Sequence, residues 1–178
     1  VNGTAVVNSD GTITYTPNPD YAGSGPDVFR YRVTDPSGTN AEATVRVTVI
    51  AVNDPPVAGA DAGTTPEDAA IDFTPAFLLG NDTDVDGDTL SITAFGNASD
   101  GTVAFVAGVY RFTPAPDYSG PASFTYTVSD GHGGTVTATV AISVTPVNDP
   151  PAAVNDARTV VEGSTTVIDL VANDLDPD

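Results

Sequence analysis

Residues 81–88 read Asn-Asp-Thr-Asp-Val-Asp-Gly-Asp, with a carboxylate or amide at five of eight positions. Oxygen donors at every second position of an irregular segment can converge on one hard cation, and no other chemistry suits them as well. The run resembles the start of an EF-hand loop. Asp82, Asp84, Asp86 and Gly87 occupy its positions 1, 3, 5 and 6. Position 12 is Thr93, which offers no bidentate carboxylate. The flank Thr89-Leu-Ser-Ile-Thr-Ala-Phe alternates with period two, so it predicts a strand where an EF-hand needs a helix. The EF-hand reading fails, and a cation held by alternating aspartates remains.

What positions those aspartates is a repeat. Val52-Asn-Asp-Pro-Pro-Val-Ala recurs as Val147-Asn-Asp-Pro-Pro-Ala-Ala, and Phe29-Arg-Tyr-Arg-Val-Thr-Asp recurs as Phe124-Thr-Tyr-Thr-Val-Ser-Asp, both 95 residues on. Tyr15-Thr-Pro-Asn-Pro-Asp-Tyr recurs as Phe112-Thr-Pro-Ala-Pro-Asp-Tyr, 97 on. Glu67 recurs as Glu162, Asp61 as Asp156, and Asn81-Asp-Thr-Asp-Val-Asp as Asn173-Asp-Leu-Asp-Pro-Asp. Residues 1–52 therefore read as the C-terminal half of a repeat. Residues 53–147 read as a complete one, and 148–178 as the N-terminal part of a third. Alternating segments such as Ile71-Asp-Phe-Thr, Leu90–Phe95, Tyr110–Thr113, Phe124–Val128 and Val136–Val144 are separated by Gly- and Pro-rich turns. That pattern predicts an all-β fold, an immunoglobulin-like sandwich of about seven strands per repeat. Ala76-Phe-Leu-Leu-Gly is expected to make one helical turn at most.

The repeats meet at Asn-Asp-Pro-Pro. Two prolines stiffen the junction and remove backbone donors, so carboxylates at facing ends share a small volume. Bare, each pair repels by about 1 kcal/mol at 4 Å even in water. A cation at the junction relieves this, and calcium suits it, with six to eight oxygen ligands in flexible geometry. Turn chemistry also favours Asp and Asn, and acidity can serve solubility alone. Turns account for Asp20, Asp35, Asp117 and Asp130 singly. They account poorly for Asp at 82, 84, 86 and 88 with a reduced copy at 174, 176 and 178.

With these motifs in view, the chain resembles the cadherin-like tandem domains of bacterial surface and secreted proteins, relatives of the animal cadherin repeat. The resemblance rests on Val-Asn-Asp-Pro-Pro, on Asp84-Val-Asp86 with Asp88, on Phe124-Thr-Tyr-Thr-Val-Ser-Asp-Gly, and on Pro66-Glu67-Asp68. It implies seven-stranded Greek-key sandwiches with calcium between successive domains. Carried across residue by residue, it puts Asp84, Asp86, Asp88 and Asp130 at the upper end of the complete repeat. They would face Asn53 and Asp54 there, with Asp20 from the preceding copy. It puts Glu67 and Asp117 at the lower end, facing Asn148 and Asp149, with Asp176 and Asp178 from the third copy. The junction is shorter than in animal cadherins, so about one or two ions per junction are expected.

Composition narrows the function. Of 178 residues 24 are acidic and five basic, all five arginine, and the net charge is −19. Nucleic acids and anionic membrane surfaces are poor partners for such a chain, and no apolar run approaches a membrane span. With no cysteine and only His132, the usual His/Cys zinc sites and Cys–His catalysis are excluded. The chain is expected to be no enzyme. The expectation is a calcium-stiffened stalk of an extracellular bacterial adhesin or surface fibre, with neighbouring repeats as its partners. Two alternatives stand beside it. One is a filament subunit whose incomplete ends pair between copies of the chain. The other is a polysaccharide-binding module.

Overall fold

The structure is a computed structural model, and it describes residues 2–176 except 22 and 24. Strands β1 (Gly3–Val7) and β2 (Ile13–Pro17) pair as one antiparallel hairpin, and β3 (Asp27–Thr34) and β4 (Asn40–Val47) as a second. Then follow β5 (Asp61–Pro66), β6 (Ile71–Phe73), a single helical turn α1 (Pro75–Leu78), β7 (Ser91–Ser99), β8 (Gly101–Val106), β9 (Val109–Pro114), β10 (Gly120–Ser129) and β11 (Thr135–Thr145). These seven strands form two sheets, ordered β5-β11-β10-β7 and β6-β9-β8. All ladders are antiparallel except β5 on β11.

Period-two alternation produces the core directly. In β10 Ala122, Phe124, Tyr126 and Val128 face inward, and in β11 Ala138, Val140, Ile142 and Val144 do so. They close on Phe73, Leu78, Tyr110 and Phe112 from the opposite side. The Phe124 ring meets Phe73 edge-on at 5.6 Å and stacks on Phe112 at 6.3 Å. Two strands are invisible to alternation. β5, Asp-Ala-Gly-Thr-Thr-Pro, is held by its parallel ladder to β11 rather than by an apolar face. β8 is set by the tight turn to β9, where Ala107 and Gly108 take φ values of 51° and 87°.

The helical turn closes one end of the sandwich. Thr74 caps it by accepting from the Phe77 N–H at 3.1 Å, Pro75 opens it, and Leu78 is fully buried. Beneath it the Tyr126 hydroxyl donates to Asp61 Oδ2 at 2.7 Å and to the Leu78 carbonyl at 2.8 Å. Burial pushes the Asp61 carboxyl up; the Tyr126 hydrogen bond opposes this and the Asp82 charge adds to it. A carboxyl raised by folding favours the native state below its ordinary value, and that contribution is lost as pH rises through the folded value. Asp61→Asn keeps an acceptor for Tyr126 and removes the ionisation. Its stability at pH 7 is expected to equal or exceed the parent's, with a flatter profile between its ordinary value of 3.8 and neutrality. Urea midpoints against pH check this, and a clear loss at pH 7 would contradict it.

The first copy shows the same hairpins without their covering strands. β1–β2 corresponds to β8–β9, and β3–β4 to β10–β11. Tyr126 and Val128 are 0% exposed, whereas their counterparts Tyr31 and Val33 are 39% and 55% exposed. An open cleft of about 650 Å³ lies between the two hairpins, lined by Ile13, Tyr15, Phe29, Tyr31 and Val33 among others. Residues 148–176 form neither strand nor helix; a single bridge joins Ala152 to Leu175. That bridge repeats Val57 to Thr83. Val154 N–H donates to Asp174 at 2.8 Å as Gly59 N–H does to Asp82 at 2.8 Å. No helix among the described residues is long and apolar enough to cross a membrane.

Candidate metal centre at the repeat junctions

The acidic loop curls around Asp84. Its Oδ1 accepts from the backbone N–H of Asp86 at 2.9 Å and of Asp88 at 3.3 Å. The Asp84 carbonyl accepts from Gly87 N–H at 3.3 Å, and Gly87 supplies the left-handed φ of 80° that this turn requires. The local sequence thus folds its alternating aspartates onto one side. Carboxylate oxygens of Asp84, Asp86 and Asp88 lie within 4.8 Å of one another. Asp84 Oδ2 is buried with no hydrogen-bond partner. A buried acceptor without a donor costs about 1–3 kcal/mol, and a cation is the partner that three clustered carboxylates invite. The donor set fits calcium: all oxygen, anionic, and on a loop whose geometry can adjust.

The junction is tied to this loop by hydrogen bonds. Asp54 N–H donates to Asp86 Oδ2 at 2.8 Å, and Asn53 Nδ2 donates to Asp130 Oδ2 at 2.8 Å. Asp130 is buried, and its oxygens also accept from the N–H groups of His132 and Gly134. The Asn53 bond, with the two backbone donors, holds the Asp130 carboxyl below the ordinary aspartate range. Asp130 therefore orients the junction and its own turn. His132 Nε2 reaches Asp88 Oδ1 at 3.4 Å and joins that turn to the acidic loop. Gly134 must stay small: an added Cβ would fall on Asp130 Oδ2 and lie 2.8 Å from the Pro55 Cα. Gly134→Ala is expected to destabilise the complete repeat by about 1–3 kcal/mol and to loosen the junction. Chemical denaturation reads the first effect and hydrogen exchange at Asp54 the second. An unshifted midpoint would refute it.

Asp20, Asp54 and Asp86 line one hollow of about 140 Å³, together with Asn18, Tyr21 and Ile50–Val52. The first copy therefore brings a carboxylate to the acidic end of the second. The same geometry recurs below. Asp117 matches Asp20, with φ values of 55° and 57°, and each begins its turn with a 3.3 Å bond, Tyr118 N–H to Ala115 and Tyr21 N–H to Asn18. Asp117, Asp149 and Asp68 bring carboxylate oxygens within 4.8 Å of one another. Buried Glu67 lies beside this group, and its Oε1 accepts from Val147 N–H at 2.5 Å, so it fastens the lower junction. Asn148 Nδ2 donates to the Asp149 carbonyl at 3.0 Å, as Asn53 does to Asp54 at 3.3 Å. Asp176 is exposed and outside both clusters. Asp178 lies outside the described residues.

Asp68 escaped the reading of the repeat because its counterpart is Gly163, so comparing copies does not mark it. The only signal was its place in Pro66-Glu67-Asp68. Asp61 and Asp82, also recurrent, surround the Tyr126 hydroxyl, with Asp82 Oδ2 at 3.5 Å, and serve the fold.

Among solved structures, human mucin-like protocadherin EC1-2 is 23% identical at a TM-score of 0.41, over 82% of this chain and 81% of that one. The protocadherin GammaB4 extracellular domain is 18% identical at 0.43, over 87% and 27%. An endo-fucoidan hydrolase of glycoside hydrolase family 107 is 22% identical at 0.38, over 82% and 22%, so the chain spans about a fifth of that enzyme. No curated protein matches the chain. A bacterial Ig domain profile matches residues 1–48. A cadherin-like domain profile matches residues 52–145, more than half of the sequence, and the seven-stranded sandwich with its acidic ends agrees: the chain belongs to the cadherin-like domain family.

Proposed function

We propose that the chain is a non-enzymatic stalk module, in which calcium taken up between successive sandwiches holds them end to end. The observation that carries the reading is Asp84 Oδ2, a buried acceptor without a donor inside a cluster of three aspartates. Asp84, Asp86 and Asp88 would hold the ion, with Asp54 from the junction and Asp20 from the preceding copy. At the lower junction Asp68, Asp117 and Asp149 would do so, with Asp176 and Asp178 arriving from the third copy. Asn53, Asp130 and Glu67 fix the junction backbone, and Asn148 braces it. A bound divalent cation supplies charge neutralisation and a multidentate link across the junction. The aspartates supply the selectivity, because a loop that tolerates many oxygens admits calcium more readily than octahedral magnesium.

The division into a half repeat (1–52), a complete repeat (53–147) and a partial one (148–178) belongs to this proposal. So does the setting, a bacterial adhesin or surface fibre outside the cell. Cadherin-like and bacterial Ig domains generally work there, and a net charge of −19 keeps such a rod soluble and apart from other polyanions. Calorimetric titration with calcium, with magnesium as control, tests the reading. Saturable, calcium-selective heat, with a longer maximum dimension in X-ray scattering, is expected. No heat, or equal response to both ions, overturns it.

A further inference from the structure

We propose that Asp61 carries a proton beneath the helical turn, and that calcium uptake on the acidic loop expels it. This deepens the calcium reading of Asp84, Asp86 and Asp88 and rests on it.

The Tyr126 hydroxyl oxygen lies 2.7 Å from Asp61 Oδ2, 2.8 Å from the Leu78 carbonyl and 3.5 Å from Asp82 Oδ2. A phenol has one hydrogen to give, and a carbonyl or an ionised carboxylate has none. With Asp61 ionised, that single hydrogen is divided between two close acceptors. Solvent supplies little more, since Tyr126 is 0% and Asp61 7% exposed. With Asp61 protonated, its O–H donates to the Tyr126 oxygen and Tyr126 donates to Leu78, so each contact has its own hydrogen. The surroundings agree. The titratable groups acting on Asp61 are Tyr126 from β10 and Asp82 from the segment after α1, and burial with the Asp82 charge outweighs the Tyr126 bond. From β11 the uncharged Val140 stands opposite Asp61, and α1 brings the Leu78 carbonyl to the Tyr126 hydroxyl.

Asp82 joins this proton to the loop, two residues before Asp84. Its Oδ1 accepts from Gly59 N–H at 2.8 Å, and Thr83 exchanges two backbone bonds of 2.8 Å with Val57. The root of the loop is thereby fixed against the segment that leads into β5 and Asp61. A cation favours the anionic form of a nearby carboxyl, and salt screens a buried group only weakly. Calcium therefore draws Asp61 back toward its ordinary value of 3.8, and the proton passes to the buffer. Linkage makes the effect reciprocal: the proton weakens calcium binding by the same factor, about 5-fold or more for a coupling of usual size. Acid pH then loosens the junction through a group that is no calcium ligand.

Asp61→Asn separates this effect from titration of the ligands. The amide imitates the protonated carboxyl, with one acceptor oxygen and an N–H that can donate to Tyr126, and it cannot ionise. At pH 7 the variant is expected to bind calcium about 5-fold or more weakly than the parent, although its calcium-free fold is no less stable.

The test is calorimetric titration of the 178-residue chain with calcium, in pairs of buffers with different ionisation heats, at steps between pH 3.8 and neutrality. The parent is expected to release a proton that the Asp61→Asn chain does not. In the parent, the side-chain carboxyl carbon of Asp61, followed by nuclear magnetic resonance, is expected to titrate at lower pH once calcium is added. That second reading needs no variant, so it stands even where the substitution disturbs folding. Equal proton release from the two chains, or an Asp61 midpoint unmoved by calcium, overturns the proposal and leaves the calcium stalk standing. Absence of any calcium heat in the parent overturns both.

Discussion

Phe124→Ala is expected to destabilise the complete sandwich by about 3–5 kcal/mol. The ring is fully buried between Phe73 and Phe112, at the middle of β10, where both sheets meet. Neighbours held in two ladders cannot collapse into the space, so the lost transfer energy and the cavity add. A domain of this size has about 5–15 kcal/mol in total, and each kcal/mol moves its midpoint by roughly 4–8 °C. Thermal melting should therefore drop by roughly 12–40 °C. The first copy supplies an internal control. Phe29 holds the matching position, stacks on Tyr15 at 6.0 Å, and borders the open cleft. Phe29→Ala is expected to have less than half the effect, because solvent already reaches that face. Equal effects at the two positions would contradict this assignment of the difference to burial.

Asp84→Asn should leave the calcium-free fold intact and weaken calcium binding at the upper junction by about 100-fold or more. Asparagine Oδ1 can still accept from the N–H groups of Asp86 and Asp88, so the loop keeps its curl. What disappears is the charge of a carboxylate whose Oδ2 is buried without a hydrogen-bond donor. Removing mere supporting groups around metals already costs about 10- to 100-fold, and a ligand carboxylate should cost at least the upper figure. The parent gains about 2.7 kcal/mol of stability when calcium stands at 100 times its dissociation constant; the variant should gain almost none at the same concentration. Calorimetry gives the affinity and thermal melts with and without chelator give the linkage. A variant that still binds and is still stabilised as the parent is would remove Asp84 from the site.

Repetition and alternation in the chain specified the sandwich. The 95-residue recurrence aligned Phe29 with Phe124 and the two Asn-Asp-Pro-Pro junctions, and period two placed Phe124, Tyr126 and Val128 on one face before any contact was known. Alternation reads a strand through its buried face. It was silent for β5, whose residues are held by backbone pairing to β11, a partner some eighty residues away.

The site divides along the same line. Asp84, Asp86 and Asp88 were legible because alternating aspartates with a following glycine form a local turn, and local turns are written in neighbouring residues. The lower cluster was half legible. Asp117 and Asp149 recur between copies, but Asp68 does not, and only folding brings it against them. The sequence by itself determined the all-β repeat, the acidic loop and the stiff junction, since each depends on residues close together or on exact recurrence. The tertiary structure decided which carboxylates are occupied. It gave Asp130 to the Asn53 side chain and to backbone donors, Glu67 to Val147, and Asp61 to Tyr126, and it left Asp84 with a buried oxygen unpartnered. The reason is that a carboxylate's role is set by which donors reach it, and those donors come from strands distant in sequence.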